Sequence, residues 1–168
     1  GQKQDRRKKA SEAMQLLKEA QVALARLVRD ANTSIRARVV LLPANSAGDN
    51  IIFHTDGGDV VLPLLRQQKD GEECLSLSDF VKPCGTDYVG AFAVTAGRGI
   101  EEIISGYQQT DDFKALLYQS LSDRLAEAAT ELLHARVRRD IWGYAPDERI
   151  DRQRALRAQY RGIRPAAG

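Results

Sequence analysis

Near the start of the chain, apolar residues recur every three or four positions: Ala13, Leu16, Leu17, Ala20, Leu24, Leu27 and Val28. Lys18, Glu19, Arg26 and Arg29 fall on the other faces. This period predicts a helix over residues 8–31, ended by Asn32-Thr33-Ser34. The pattern then changes. Arg36 to Leu42 (RARVVLL) is β-branched and apolar towards its end, as in a strand entering an interior. PANSAGDN at 43–50 has the composition of a loop. Ile51 to His54 and Asp59 to Leu62 flank the turn Thr55-Asp56-Gly57-Gly58 and predict a β-hairpin. Residues 63–86 are less regular, with a short helix expected over Leu64–Gln68 and a mixed segment from Leu75 to Val81.

Asp87 to Thr95 (DYVGAFAVT) is apolar or small on both of its alternating faces, which predicts a central strand covered on both sides. Ala96-Gly97-Arg98-Gly99 breaks it, and Ile100 to Gln108 reads as a short helix. A long helix follows, with Thr110 as its expected N-cap and Asp111 and Asp112 in its first turn, where negative charge suits the helix dipole. Phe113, Leu116, Leu117, Leu121, Leu125, Ala128, Leu132 and Ala135 form its expected buried stripe. Asp147 to Tyr160 predicts a further, very polar helix ended by Gly162. The succession of helix, strands and helices is that of an α+β fold, with an antiparallel or mixed sheet carrying long helices.

Length and composition add bounds. A chain of 168 residues suits one domain. Aromatic residues make up only 6 %, so the core must rest on Leu, Val, Ile and Ala. Net charge is +2, too small for a broad basic field, which argues against a nucleic-acid partner. Basic residues gather at the two ends (Lys3 to Lys9 and Arg152 to Arg164), most simply as solvated helix faces. Cys74 and Cys84 form neither a zinc-type spacing nor a disulfide framework, in keeping with a reducing cytoplasm. No apolar run is long enough for a bilayer, and no membrane partner is expected.

No nucleophile elbow, phosphate loop or HExxH helix is present, and Gly97-Arg98-Gly99 alone is too little for a dinucleotide loop. His54 reads as a structural strand residue. No catalytic residue and no metal site is predicted, so the chain reads as a binding module. Its most informative polar feature is a stripe on the long helix: Arg124, Glu127, Glu131, His134 and Arg138, at spacings of three and four. Such a stripe is either a salt-bridged solvent face or a ligand face in which Glu127 receives an ammonium group. Arg164 would supply the complement, because a guanidinium holds a carboxylate through two parallel hydrogen bonds. Together they would suit the two ends of an amino acid backbone.

Five blocks in order give the chain a family resemblance: PANSAGDN (Pro43–Asn50), LSDFVKP (Leu77–Pro83), DYVGAFAVTAG (Asp87–Gly97), SDRLAEAATELLHARVRRDIWGYAPDE (Ser122–Glu148) and YRGIRPAAG (Tyr160–Gly168). From about residue 10 to the end, the chain resembles the activation domain of cobalamin-dependent methionine synthase. The resemblance implies a helmet-like α+β domain, a twisted antiparallel sheet flanked by long helices, with residues 1–168 forming a single, C-terminally incomplete domain. It implies binding of S-adenosylmethionine and docking on a cobalamin-binding domain or corrinoid protein, for reductive methylation of cob(II)alamin back to methylcobalamin. A flavodoxin-type donor would supply the electron, and cobalamin would be held by the partner. Turnover of homocysteine to methionine would occur on other domains, so this part of the methyltransferase binds rather than catalyses. By motif, Glu127 and Arg164 would lie near the bound S-adenosylmethionine, Arg164 clamping the methionyl carboxylate, with Pro165, Ala166 and Ala167 beside the nucleoside. The alternative is a module of the same fold that docks on a corrinoid protein without binding S-adenosylmethionine.

Overall fold

The computed structural model describes residues 2–162, and everything structural below refers to these. Helix α1 spans Gln2–Arg29, strand β1 Ser34–Ala47, β2 Asn50–Thr55, β3 Gly58–Pro63 and β4 Tyr88–Arg98. Helices α2 (Ile100–Tyr107) and α3 (Asp112–Arg136) follow, then a π-helical turn at Val137–Ile141 and the short helix α4 (Arg152–Leu156). The strands form a four-stranded antiparallel sheet in the order β3-β2-β1-β4, so the α+β class expected from the sequence is the observed one. Two compact units divide the chain: residues 2–37 with Val94–Arg136, and Arg38–Ala93 with residues 137–162.

The first unit is helical. Ala23 and Leu27 of α1, Ile100 of α2 and Tyr118 of α3 are buried together, flanked by Ile103, Ile104, Leu117, Leu121 and Leu125. The Tyr107 and Tyr118 rings stack with centroids 5.8 Å apart, and Arg26 donates to the Tyr107 hydroxyl at 3.2 Å. This stack decides which face of α3 turns inward. Ala115 and Tyr118 are buried, and Leu116, two residues before Tyr118 and hence about 200° around the helix, is 66 % exposed. The expected stripe is therefore corrected: Leu117, Leu121 and Leu125 pack inward, whereas Phe113, Leu116 and Leu132 face out. On α1, Leu16, Leu17 and Val28 are likewise exposed.

Helix ends follow local chemistry. Asp111, not Thr110, caps α3: its carboxylate accepts from the Lys114 amide at 3.0 Å, and Lys114 and that amide together hold its pKa below the usual carboxylate value. The Thr110 hydroxyl instead donates back to the Gly106 carbonyl. Gly99, at φ +79°, starts α2 directly against the Asn32 carbonyl, where any Cβ would collide.

The second unit is built on the hairpin. Strand β2 alternates Ile51 and Phe53 inward, where they meet Ala44 and Val81 with Leu42, Leu64, Leu77 and Val89 around them. Much of the expected PANSAGDN loop is strand: β1 continues to Ala47, pairs Ala44 with Phe53 and Ala47 with Asn50, and only Gly48 and Asp49 turn. The polar residues of that block are explained by what they hold. The Asn45 amide donates to the Lys82 and Gly85 carbonyls at 3.1 and 2.9 Å, and the Ser46 hydroxyl donates to the Val81 carbonyl at 2.7 Å.

No helix forms at Leu64–Gln68, because the Leu64 and Gln67 amides donate to Asp49 and Leu75 instead of up a helix. Arg66 ties this segment down, its guanidinium donating to Asp49 at 2.6 Å and to Asp79 at 2.7 Å. Strand β4 is also corrected: it lies at the sheet edge beside β1, not in the centre. Its small residues serve close packing on one side, since a Cβ at Gly90 would sit 3.1 Å from Leu41 and 3.2 Å from Trp142.

Candidate functional site

The long polar stripe divides in two. At its start, Arg124 donates to Glu127 at 2.7 Å, one turn apart, with both side chains well exposed at 78 % and 64 %. Near its end, His134 and Arg138 are buried. Glu127 lines neither of two surface grooves on the first unit, one of about 190 Å³ floored by Leu27, Ile100 and Leu125, the other beside Val22 and Arg29. Glu127 thus stands on an open helix surface, engaged by Arg124.

Arg138 sits in the π-helical turn, a distortion often found where a helix must re-aim side chains. The Val137 carbonyl accepts from both Trp142 (2.8 Å) and Gly143 (3.3 Å), and the Arg138 carbonyl accepts from Ala145 at 2.9 Å. These bonds fold the Trp142-Gly143-Tyr144-Ala145-Pro146 segment back, with Gly143 at φ +75°. The Trp142 and Tyr144 rings meet edge to face at 5.5 Å. The fold-back brings Glu148 onto Arg138: Nε donates to Oε2 at 2.5 Å, with the side chains only 4 % and 12 % exposed.

From this pair the protein holds the last described segment. The Arg138 guanidinium lies 4.5 Å from the centroid of the Tyr160 ring, a cation–π contact. The other oxygen of Glu148 accepts the Arg161 amide at 2.9 Å, while the Tyr144 hydroxyl donates to the Arg161 carbonyl at 3.2 Å. Gly162, at φ +87°, lies so close that a Cβ would come within 2.6 Å of the Tyr144 oxygen. Burial pushes the Tyr144 hydroxyl pKa up against the opposing pull of Arg138.

The expected helix from Asp147 to Tyr160 shrinks to Arg152–Leu156. Asp151 caps it through the Arg154 amide at 2.8 Å, and Ala158, at φ +52°, follows its end. Freed from a helix, Tyr160 and Arg161 reach the Arg138–Glu148 pair. Sequence reasoning put Arg138 on a stripe and passed over Glu148, Tyr144 and Tyr160. The available signal was a run of aromatic and glycine residues too short for any regular element. Arg164, Pro165, Ala166 and Ala167 lie outside the described residues. Among the described residues no cluster of His, Cys, Asp and Glu suits a metal ion, and no helix is long and apolar enough to cross a membrane.

Comparison with known proteins gives this geometry a family. The solved crystal structure of the MetH reactivation domain bound to AdoHcy superposes with a TM-score of 0.83 at 39 % sequence identity, over 92 % of this chain and 51 % of that one. The present chain therefore spans about half the length of that structure. A family model described as the vitamin B12 dependent methionine synthase activation domain matches residues 2–168, and the chain belongs to that family.

Proposed function

We propose that the chain binds S-adenosylmethionine and docks on a cobalamin-binding domain to support the return of cob(II)alamin to methylcobalamin. The observation that carries this reading is the 39 % identical reactivation domain with AdoHcy bound, together with the family match over residues 2–168. AdoHcy is S-adenosylmethionine without its transferable methyl group, so the two share a nucleoside and an amino acid backbone. When bound, S-adenosylmethionine supplies an electrophilic methyl group.

The residues suit such a ligand chemically. Arg164 offers a planar guanidinium for the amino acid carboxylate, a charge-assisted bidentate contact. Glu127 offers an exposed carboxylate for the ammonium, released from Arg124 at little cost because an exposed pair holds only weakly. Pro165, Ala166 and Ala167 provide backbone groups beside the nucleoside. The cobalamin domain, a flavodoxin-type electron donor and a cytoplasmic setting complete the reading.

A second reading, a module that docks without S-adenosylmethionine, draws on Glu127 already having a partner in Arg124. Two experiments separate them. A ligand that binds only the folded state raises the melting temperature, so saturating S-adenosylmethionine should raise that of this chain. Capture of the chain on a cobalamin-loaded domain should strengthen with the ligand. Capture indifferent to the ligand, with no melting shift, would favour the second reading.

A further inference from the structure

The sheet of the second unit carries a line of polar side chains that the proposed function does not use. It runs from Asp59 on β3 through His54 on β2 to Asn45 on β1, and on to the segment at 82–85. We infer that this line is a proton-dependent latch: the cationic ring of His54 holds the Asn45 amide in the orientation that fastens Lys82 and Gly85 to the sheet.

Both nitrogens of the His54 ring meet an acceptor. Nδ1 lies 2.8 Å from Oδ1 of Asp59, the register partner of His54 on β3. Nε2 lies 2.9 Å from Oδ1 of Asn45. The Asn45 amide cannot be reversed to offer a donor instead. Its nitrogen already gives both hydrogens to the Lys82 and Gly85 carbonyls, at 3.1 and 2.9 Å. Reversed, it would set an oxygen against those two carbonyls. A carboxylate and an amide oxygen only accept, and an imidazole offers two N–H donors only as the cation. The line is therefore complete only when the ring is protonated. With the His54 and Asp59 side chains 42 % and 60 % exposed, the ring can exchange its proton with solvent.

Loss of the proton breaks the line at a defined place. A neutral ring keeps one N–H, and the ionised carboxylate is the stronger acceptor, so the hydrogen stays on Nδ1 toward Asp59. The lone pair of Nε2 then faces the Asn45 oxygen. Repulsion moves that amide and pulls on its bonds to Lys82 and Gly85. Ser46 keeps its own hold on Val81 and Lys82, so the loosening falls at Gly85. Asp59 is the charged group that meets the ring from β3, and β1 meets it with the neutral Asn45. Beyond Asn45 the segment carries Lys82, the exposed Cys84 thiol and Asp87. Hydrogen bonds from the Lys82 and Tyr88 amides hold the Asp87 carboxyl below the usual carboxylate value. Asp87 therefore stays ionised over about pH 5–8, where imidazoles change charge.

NMR titration of the full chain over about pH 5–8 tests the latch. Cys84→Ser in every protein removes the titration of the neighbouring thiol. Long-range nitrogen–proton correlations report which ring nitrogens of His54 carry hydrogen, and His54→Gln tells its signals from those of His134, the other histidine. The side-chain amide of Asn45 and the carbonyl carbon of Gly85 report the hold. The expected result is two protonated nitrogens at the acid end, with Asn45 and Gly85 signals that shift at the same midpoint as the ring. In Asn45→Ala the ring should still titrate while the Gly85 shift is lost. In His54→Gln the Asn45 and Gly85 shifts should both be lost. Circular dichroism and urea midpoints identify folded variants, and if Asn45→Ala does not fold, His54→Gln decides alone. Asn45 and Gly85 signals that stay fixed while the ring titrates would overturn the inference. So would a ring with a single N–H throughout, or a Gly85 shift that persists in His54→Gln.

Discussion

Two Arg–Glu pairs, within one run of sequence, show how environment changes the meaning of the same chemistry. Arg124–Glu127 lies along one turn of α3, exposed and free to exchange with water. Arg138–Glu148 is drawn together by a π-helical turn and a folded-back aromatic segment, and water is nearly excluded. The first pair, exposed on both sides, is weak and can exchange partners readily. The second is suited to holding other groups still, because neither charge can leave it cheaply.

Breaking the buried pair should have the largest effect. Glu148→Ala leaves a guanidinium without this carboxylate in a site 4 % exposed, and should destabilise the fold by about 3 kcal/mol. Urea unfolding measures it, and a loss below about 0.5 kcal/mol, the usual scale of a surface substitution, would show that the pair is not the frame described. Next comes Gly162→Ala. It places a Cβ against Tyr144 at φ +87° and should cost about 1–2 kcal/mol in strain. Thermal melts beside the wild-type chain would show a clear downward shift.

A pH series sharpens the contrast at a third pair, Arg66–Asp79. Hydrogen bonds from Arg66 and the Ser76 amide hold the Asp79 carboxyl down to about 2. A carboxyl depressed in the folded state contributes its full stability above its unfolded value of about 3.9. That contribution fades as pH falls from there through about 2. Asp79→Asn should flatten the acid side of the stability profile in that window and leave its slope near pH 7 unchanged. An unaltered acid limb would show that Arg66 does not hold this carboxylate in solution. The smallest effect belongs to the exposed pair: Arg124→Ala should change stability by less than about 0.5 kcal/mol. A larger loss in urea would mean that this surface is more constrained than its exposure indicates.

How far the sequence could be read depended on how local the deciding contacts were. Periodicity located α1, the β2–β3 hairpin, α2 and α3 because each is a local pattern. It misplaced the inward face of α3, which is chosen by a stack between Tyr107 and Tyr118 on different helices. It took PANSAGDN for a loop because Asn, Ser and Gly are turn formers. Here Asn45 and Ser46 lie in a strand and use their side chains to hold the chain near Lys82. The polar segment from Asp147 to Tyr160 was expected to be one helix, but only Arg152–Leu156 is helical, Ala158 turns left-handed and Tyr160 meets Arg138. Of the candidate site, Glu127 and Arg164 were named from family motifs; the structure shows Glu127 exposed and paired with Arg124, and Arg164 lies outside the described residues. The Arg138–Glu148 frame was not legible, because its partners meet only through a π-turn that no simple period announces.

Calorimetric titration of S-adenosylhomocysteine into the chain, beside Arg164→Ala, tests the central claim most directly. Saturable one-to-one binding that Arg164→Ala abolishes, with an unchanged urea midpoint, is the predicted result. Absence of binding in the unmodified chain, or binding of equal strength in both proteins, would contradict it.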